Sequence, residues 1–81
     1  MAEQVKIDKV LDAKGLLCPM PVIKARKAIQ EIEVGQILEV LATDKGAVKD
    51  FAAWARQTRN ELLDWNESSG VYTFHIRKTH A

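Results

Sequence analysis

Apolar positions change their period several times along the chain, and each change marks an element. Val5, Ile7 and Leu11 fall in phase within a segment rich in β-branched residues, so residues 5–11 read as a strand whose alternation Lys9 interrupts. Gly15, Pro19 and Pro21 punctuate residues 12–21, which read as a loop. Pro21 suits the first turn of a helix, where a missing N–H costs nothing. Val22, Ala25, Ile29 and Ile32 then recur at helical spacing, and Gly35 stops that helix. Residues 36–42 are apolar on both faces apart from Glu39, as in an interior strand. Thr43 or Asp44 is placed to cap a second helix, with Val48, Phe51, Ala52 and Ala55 as its buried stripe and Asn60 at its end. Residues 61–65 read as a third strand and Ser68-Ser69-Gly70 as a turn. Tyr72, Phe74 and Ile76 alternate with Thr73, His75 and Arg77, which describes a last strand with one face buried.

The order β-α-β-α-β-β predicts an α+β fold. It is a two-layer α/β sandwich, a mixed four-stranded sheet with two helices on one face. With 81 residues the chain is expected to form a single domain, residues 1–81. A chain of this size buries a limited share of its surface, which moves any chemistry to the exterior. Twelve basic and eleven acidic residues leave a net charge of +1, so there is no general drive towards nucleic acid or membrane. No stretch approaches the ~20 apolar residues that span a bilayer, and the start of the chain lacks the apolar core of a secretory signal. A cytoplasmic location is expected. One cysteine and two histidines without ligand spacing predict no metal, and no other cofactor is expected.

The informative stretch is Gly15-Leu16-Leu17-Cys18-Pro19-Met20-Pro21. A proline disfavours helical backbone in the residue before it, so Cys18 and Met20 are expected to be extended, with the helix starting around Pro21. Cys18 would then stand on a stiffened loop ahead of a helix N-terminus, where free N–H groups and the dipole favour a thiolate. Lys24, Arg26 and Lys27 fall in the first half of the expected helix and Glu31 and Glu33 at or beyond its far end, both unfavourable for the dipole. Such a placement points to selection for something other than helix stability: a cationic collar that acidifies Cys18 and attracts an acidic partner. Against this stand plainer readings. A lone cysteine is commonly a small buried hydrophobe. The basic run could be a solvated face, with Lys27 paired to Glu31. Leu16 and Leu17 could be core or docking surface, and one of each is expected. If the basic run is only a solvated face, Leu16, Leu17 and Met20 are the next residues in which to seek partner docking.

Cys18-Pro19-Met20-Pro21 is similar to the Cys-Pro-x-Pro motif of TusA-like (SirA-like) sulfur carrier proteins. The resemblance covers nearly the whole chain: residues 11–16 (LDAKGL), Arg26-Lys27, Gly35, Thr43-Asp44, Asp50 and Ile76-Arg77-Lys78. It implies that Cys18 bears sulfane sulfur as a persulfide within the motif prolines Pro19 and Pro21, and that Arg26 lies near the partner surface. Asp44 and Asp50 match acidic positions expected to cap or orient. Lys45-Gly46 departs from the proline that relatives often carry there. The implied role is a persulfide relay rather than a turnover enzyme. The implied donor is a cysteine desulfurase or a rhodanese, and the implied acceptor a small thiol-bearing relay protein. The sulfur would go to tRNA thiolation, cofactors or oxidative sulfur metabolism. A monomer when free, with no direct nucleic acid and no membrane, is expected. The alternative is a thiol redox sensor or regulatory interaction module.

Overall fold

The computed structural model describes residues 6–80. Its elements are β1 (Lys9–Ala13), α1 (Met20–Ile29), β2 (Ile37–Ala42), α2 (Ala47–Thr58), β3 (Glu61–Ser68) and β4 (Val71–Arg77). The six elements follow the order read from the sequence. The sheet order is β1-β2-β4-β3, with β1 parallel to β2 and the other two pairings antiparallel. The fold is therefore α+β, with a mixed sheet, and β2 is interior as its two apolar faces require.

The helices cover one face of the sheet. Leu38, Val40 and Ala42 of β2 and Phe74 and Ile76 of β4 point into the core, where they meet Ala25, Ala28 and Ile29 of α1 and Phe51 and Trp54 of α2. Phe51 is the centre of this layer. Its ring stacks on Phe74 at 4.6 Å and meets Trp54 edge-on at 5.9 Å. Aromatic pairs of this geometry add about 0.5–1.5 kcal/mol beyond the area they bury.

Several boundaries differ from the sequence expectation. The first strand begins at Lys9 and runs to Ala13, while Val5 lies outside the described residues. Its last residues, Asp12 and Ala13, extend the ladder because Ala13 pairs with Ala42 and is fully buried. Helix α1 ends at Ile29; Ile32 is buried beyond it in a bend, and Gly35, at φ +92°, serves the following turn, closed by Gln36 N–H to Glu33 O at 2.9 Å. The shorter helix reverses the electrostatic reading: Arg26 and Lys27 occupy its last turn, where the dipole favours cations. Glu31 pairs with Lys9 at 3.0 Å rather than with Lys27. Strand β3 runs on to Ser68, because the two-residue turn Ser69-Gly70, both at positive φ, closes a tight hairpin. On α2 the buried stripe is Ala47, Phe51, Trp54 and Ala55; Val48 and Ala52 are only half-buried.

Candidate functional site

Parallel pairing of β1 and β2 sets the location of the site. Ala13 and Ala42 end the two strands side by side, so the loops that follow leave from the same edge of the sheet. The first carries Cys18 and the second carries Thr43 and Asp44. Carboxyl ends of neighbouring parallel strands are where open α/β sheets place their ligand sites.

Two hydrogen bonds fasten one loop to the other. Gly15 N–H donates to Thr43 Oγ1 at 2.9 Å, and Cys18 N–H donates to Asp44 Oδ2 at 2.7 Å. Gly15 sits at φ +84°, a conformation that favours glycine, and this turns the chain from β1 towards Thr43. Thr43 and Asp44 thus serve the cysteine loop and do not cap α2, which starts from Gly46 with no side-chain cap. The Asp44 backbone carbonyl closes that start by accepting from Ala47 N–H at 3.0 Å, which leaves its carboxylate for Cys18.

Met20 N–H donates to Leu17 O at 2.8 Å, closing a turn with Cys18 and Pro19 at its centre and a cis bond between them. Met20, expected to be extended, is the first residue of α1. That turn and the burial of the Pro21 ring outweigh the pre-proline bias. Cys18 and Pro19 are exposed, and Cys18 is a free thiol. Leu16 packs against the core, whereas Leu17 is 74% exposed. Met20 and Ile23, three apart on α1, add two more exposed apolar side chains close in sequence to the thiol. Ile23 was not singled out from the sequence.

The charges acting on the sulfur are carboxylates. Cys18 Sγ donates a hydrogen bond to Asp50 Oδ2, in the first turn of α2. That bond raises the thiol pKa above its ordinary value, helped by desolvation and by the negative charges of Asp50 and Asp44. The expectation of an acidified thiol is overturned for two reasons. The first N–H groups of α1 are engaged within the turn, Met20 to Leu17 O and Val22 and Ile23 to Pro19 O. The basic residues also stand apart instead of forming a collar. Lys24 and Lys27 border a depression beside Lys9, Val10 and Leu11, while Arg26 faces α2 and Trp54.

Gly46 completes the setting. A Cβ there would lie 3.4 Å from Cys18 Cβ and Asp44 Oδ2, and 3.7 Å from Cys18 Sγ. Glycine leaves that side of the sulfur open. From sequence, Asp44 and Asp50 read as capping or orienting residues and Lys45-Gly46 as a departure. The signal for their position beside Cys18 is the parallel β1–β2 pair, which brings both loops to one end. Among the described residues no cluster of three or more His, Cys, Asp or Glu could hold a metal, and no helix is long and apolar enough to cross a membrane.

Similarity to known proteins bears on this site. The family model described as sulfurtransferase TusA matches residues 9–78. The putative sulfur carrier protein YrkI of Bacillus subtilis is 51% identical over 91% of this chain and 99% of its own. The sulfur carrier protein TusA of Allochromatium vinosum is 49% identical over 89% and 95%. The crystal structure of a SirA-like protein from Desulfitobacterium hafniense superposes with a TM-score of 0.77 at 27% identity, covering 89% of this chain and 99% of that one.

Proposed function

Since the chain belongs to the sulfurtransferase TusA family, we propose that it is a sulfur carrier whose cargo rides as a persulfide on Cys18. One observation carries the residue assignment: a free, exposed thiol at the centre of a fastened turn, with the Asp50 carboxylate as its hydrogen-bond acceptor. The relatives described as sulfur carriers support the role.

The chemistry follows thiol–disulfide exchange. The Cys18 proton passes to Asp50 as Sγ attacks the outer sulfur of a donor persulfide. A new S–S bond forms on Cys18, the donor's S–S bond breaks, and the donor thiolate leaves with the electron pair. Delivery repeats the step with an acceptor thiolate as the attacking group and Cys18 as the leaving thiolate, which recovers its proton from Asp50. No net oxidation occurs. The raised thiol pKa suits a resting protein whose cysteine stays protonated until a partner is engaged.

The donor is a cysteine desulfurase or a rhodanese, and the acceptor is a small thiol-bearing relay protein. The destination is tRNA thiolation, cofactor sulfuration or oxidative sulfur metabolism, in the cytoplasm. Pro19 and Pro21 shape the turn. Leu17 and Met20 offer apolar contact beside the sulfur, and Arg26, Lys24 and Lys27 offer charge on two separate sides. The chain acts as a monomer when free. A thiol redox sensor would need a low-pKa cysteine, and the neighbouring carboxylates weigh against it.

A delivery assay tests the reading. Protein loaded with polysulfide and desalted is mixed with an acceptor thiol. Sulfur should leave the protein in step with its appearance on the acceptor. Retention of sulfur by the protein, together with ready oxidation of Cys18 by peroxide, would favour the sensor.

A further inference from the structure

The hydrogen bond that holds the empty thiol is one that the loaded protein cannot make. Cys18 Sγ donates its proton to Asp50 Oδ2. In a persulfide the outer sulfur stands where that proton stood, so Sγ has nothing left to donate. A persulfide is also more acidic than its parent thiol, and at neutral pH its outer sulfur is an anion. Two carboxylates meet that anion. Asp50 comes from the first turn of α2. Asp44 accepts from Cys18 N–H at 2.7 Å, and its Oδ2 also borders the open space at Gly46. A Cβ placed there would lie 3.4 Å from Asp44 Oδ2 and 3.7 Å from Cys18 Sγ, so the room left for an outer sulfur adjoins a negative charge. Among the described residues neither Asp44 nor Asp50 forms an ion pair. The opposing field is the N-terminus of α2, worth about half a positive charge, and Asp50 in its first turn offsets it.

We propose that Asp50, with Asp44, makes the loaded state the less stable one, so that Cys18 holds sulfur weakly and yields it readily to an ordinary thiol. The proposal rests on the carrier reading and adds the direction in which sulfur runs. Loading removes a hydrogen bond to a charged acceptor and brings like charges together, and both effects favour the empty form. Delivery to an unperturbed thiol then runs downhill. The loading step must be driven by a donor that holds its sulfur less firmly still, or that is present in excess.

Sharing of sulfur between two thiols tests this. The reference is a peptide of residues 15–21, which carries the same cysteine without Asp44 or Asp50. Protein and peptide are mixed anaerobically with less than one sulfane sulfur per thiol, and intact mass gives the loaded fraction of each. Each exchange breaks one S–S bond and forms another, passing one sulfur atom between cysteines with no net oxidation. Starting with the sulfur on the protein or on the peptide must give the same end point, which makes the result independent of rates. The wild-type protein should hold sulfur about three- to tenfold less well than the peptide, and the bias should shrink as salt rises. Asp50→Asn should bring the ratio close to one, since the amide is uncharged and can donate to the persulfide. Asp44→Asn should act in the same direction by less, and Asp50→Glu, which keeps the charge, should keep the bias. Equal sharing by the wild-type protein would overturn the proposal, and that measurement needs no variant that might misfold. Tighter holding by the protein would overturn it as well and would assign the persulfide to the α2 N-terminus and to Lys45, Lys49 or Arg26. So would a bias unchanged in both Asn variants. A protein that takes no sulfur from excess donor, with no peptide present, would contradict the carrier reading and this inference together, whereas loading with equal sharing contradicts this inference alone.

Discussion

Cys18 and Asp50 are 32 positions apart in sequence, yet the thiol of one donates its hydrogen bond to the carboxylate of the other. The contact exists because β1 and β2 are parallel and their following loops share one end of the sheet. It makes Asp50 the hydrogen-bond acceptor of the thiol and helps to raise the sulfur's pKa.

The first prediction concerns that acidity. The Asp50 hydrogen bond, desolvation and the nearby carboxylates hold the Cys18 pKa above its ordinary value. The midpoint of alkylation rate against pH should therefore lie above that of an unstructured peptide carrying the same cysteine. Asp50→Asn should lower it, since the negative charge is lost. A wild-type midpoint below the peptide's would mean that the helix N-termini outweigh the carboxylates.

Gly46 should be replaceable without loss of stability but not without loss of access. Its φ is −65°, a helical value, so Gly46→Ala should leave the melting temperature unchanged or raise stability by about 0.4–1 kcal/mol. The added methyl would stand 3.7 Å from Cys18 Sγ and 3.4 Å from Cys18 Cβ. Loading of sulfur should slow. Loading at the wild-type rate would show that this side of the sulfur is not used.

Stability should separate the site from the core. Cys18→Ser alters an exposed side chain and should change stability by no more than about 0.5 kcal/mol. Phe51→Ala removes a fully buried ring stacked on Phe74 and should cost about 3–5 kcal/mol. Denaturant melts of the two variants give both figures. A large loss from Cys18→Ser would return the cysteine to the core.

His75 lies on the sheet face away from the helices, between Glu39 at 2.9 Å and Asp64 at 2.7 Å. Burial pulls its pKa down, but hydrogen bonds to Glu39 and Asp64 and their charges push it up more, for a net rise. Folding therefore favours the protonated form. That stability is fully present below the unfolded pKa of about 6.5 and is lost as pH rises through the higher folded value. His75→Gln should flatten the pH dependence of stability in that window. An unchanged slope would show that the three side chains contribute nothing.

Much of the fold was legible because periodicity changes sharply along this chain. Val22, Ala25 and Ile29 announce a helix, and Phe74 and Ile76 a strand with one buried face. Element ends were less legible because they depend on tertiary partners: Ala13 joins β1 through Ala42, and Ile32 is buried without being helical. At the site, Cys18 stood out through its flanking prolines. The sign of its electrostatics did not, because local sequence shows Lys24, Arg26 and Lys27 nearby, while the groups that reach the sulfur come from the second loop and helix. Asp44 could be read as a cap from sequence; only the pairing of β1 with β2 turns its carboxylate to Cys18 N–H.

Intact-mass analysis after incubation with a sulfane-sulfur donor tests the central claim most directly. The wild-type protein should gain one sulfur atom, removable by reductant and located on Cys18 by fragmentation, and Cys18→Ser should gain none. The same adduct on Cys18→Ser, or no adduct on the wild type, would contradict the account.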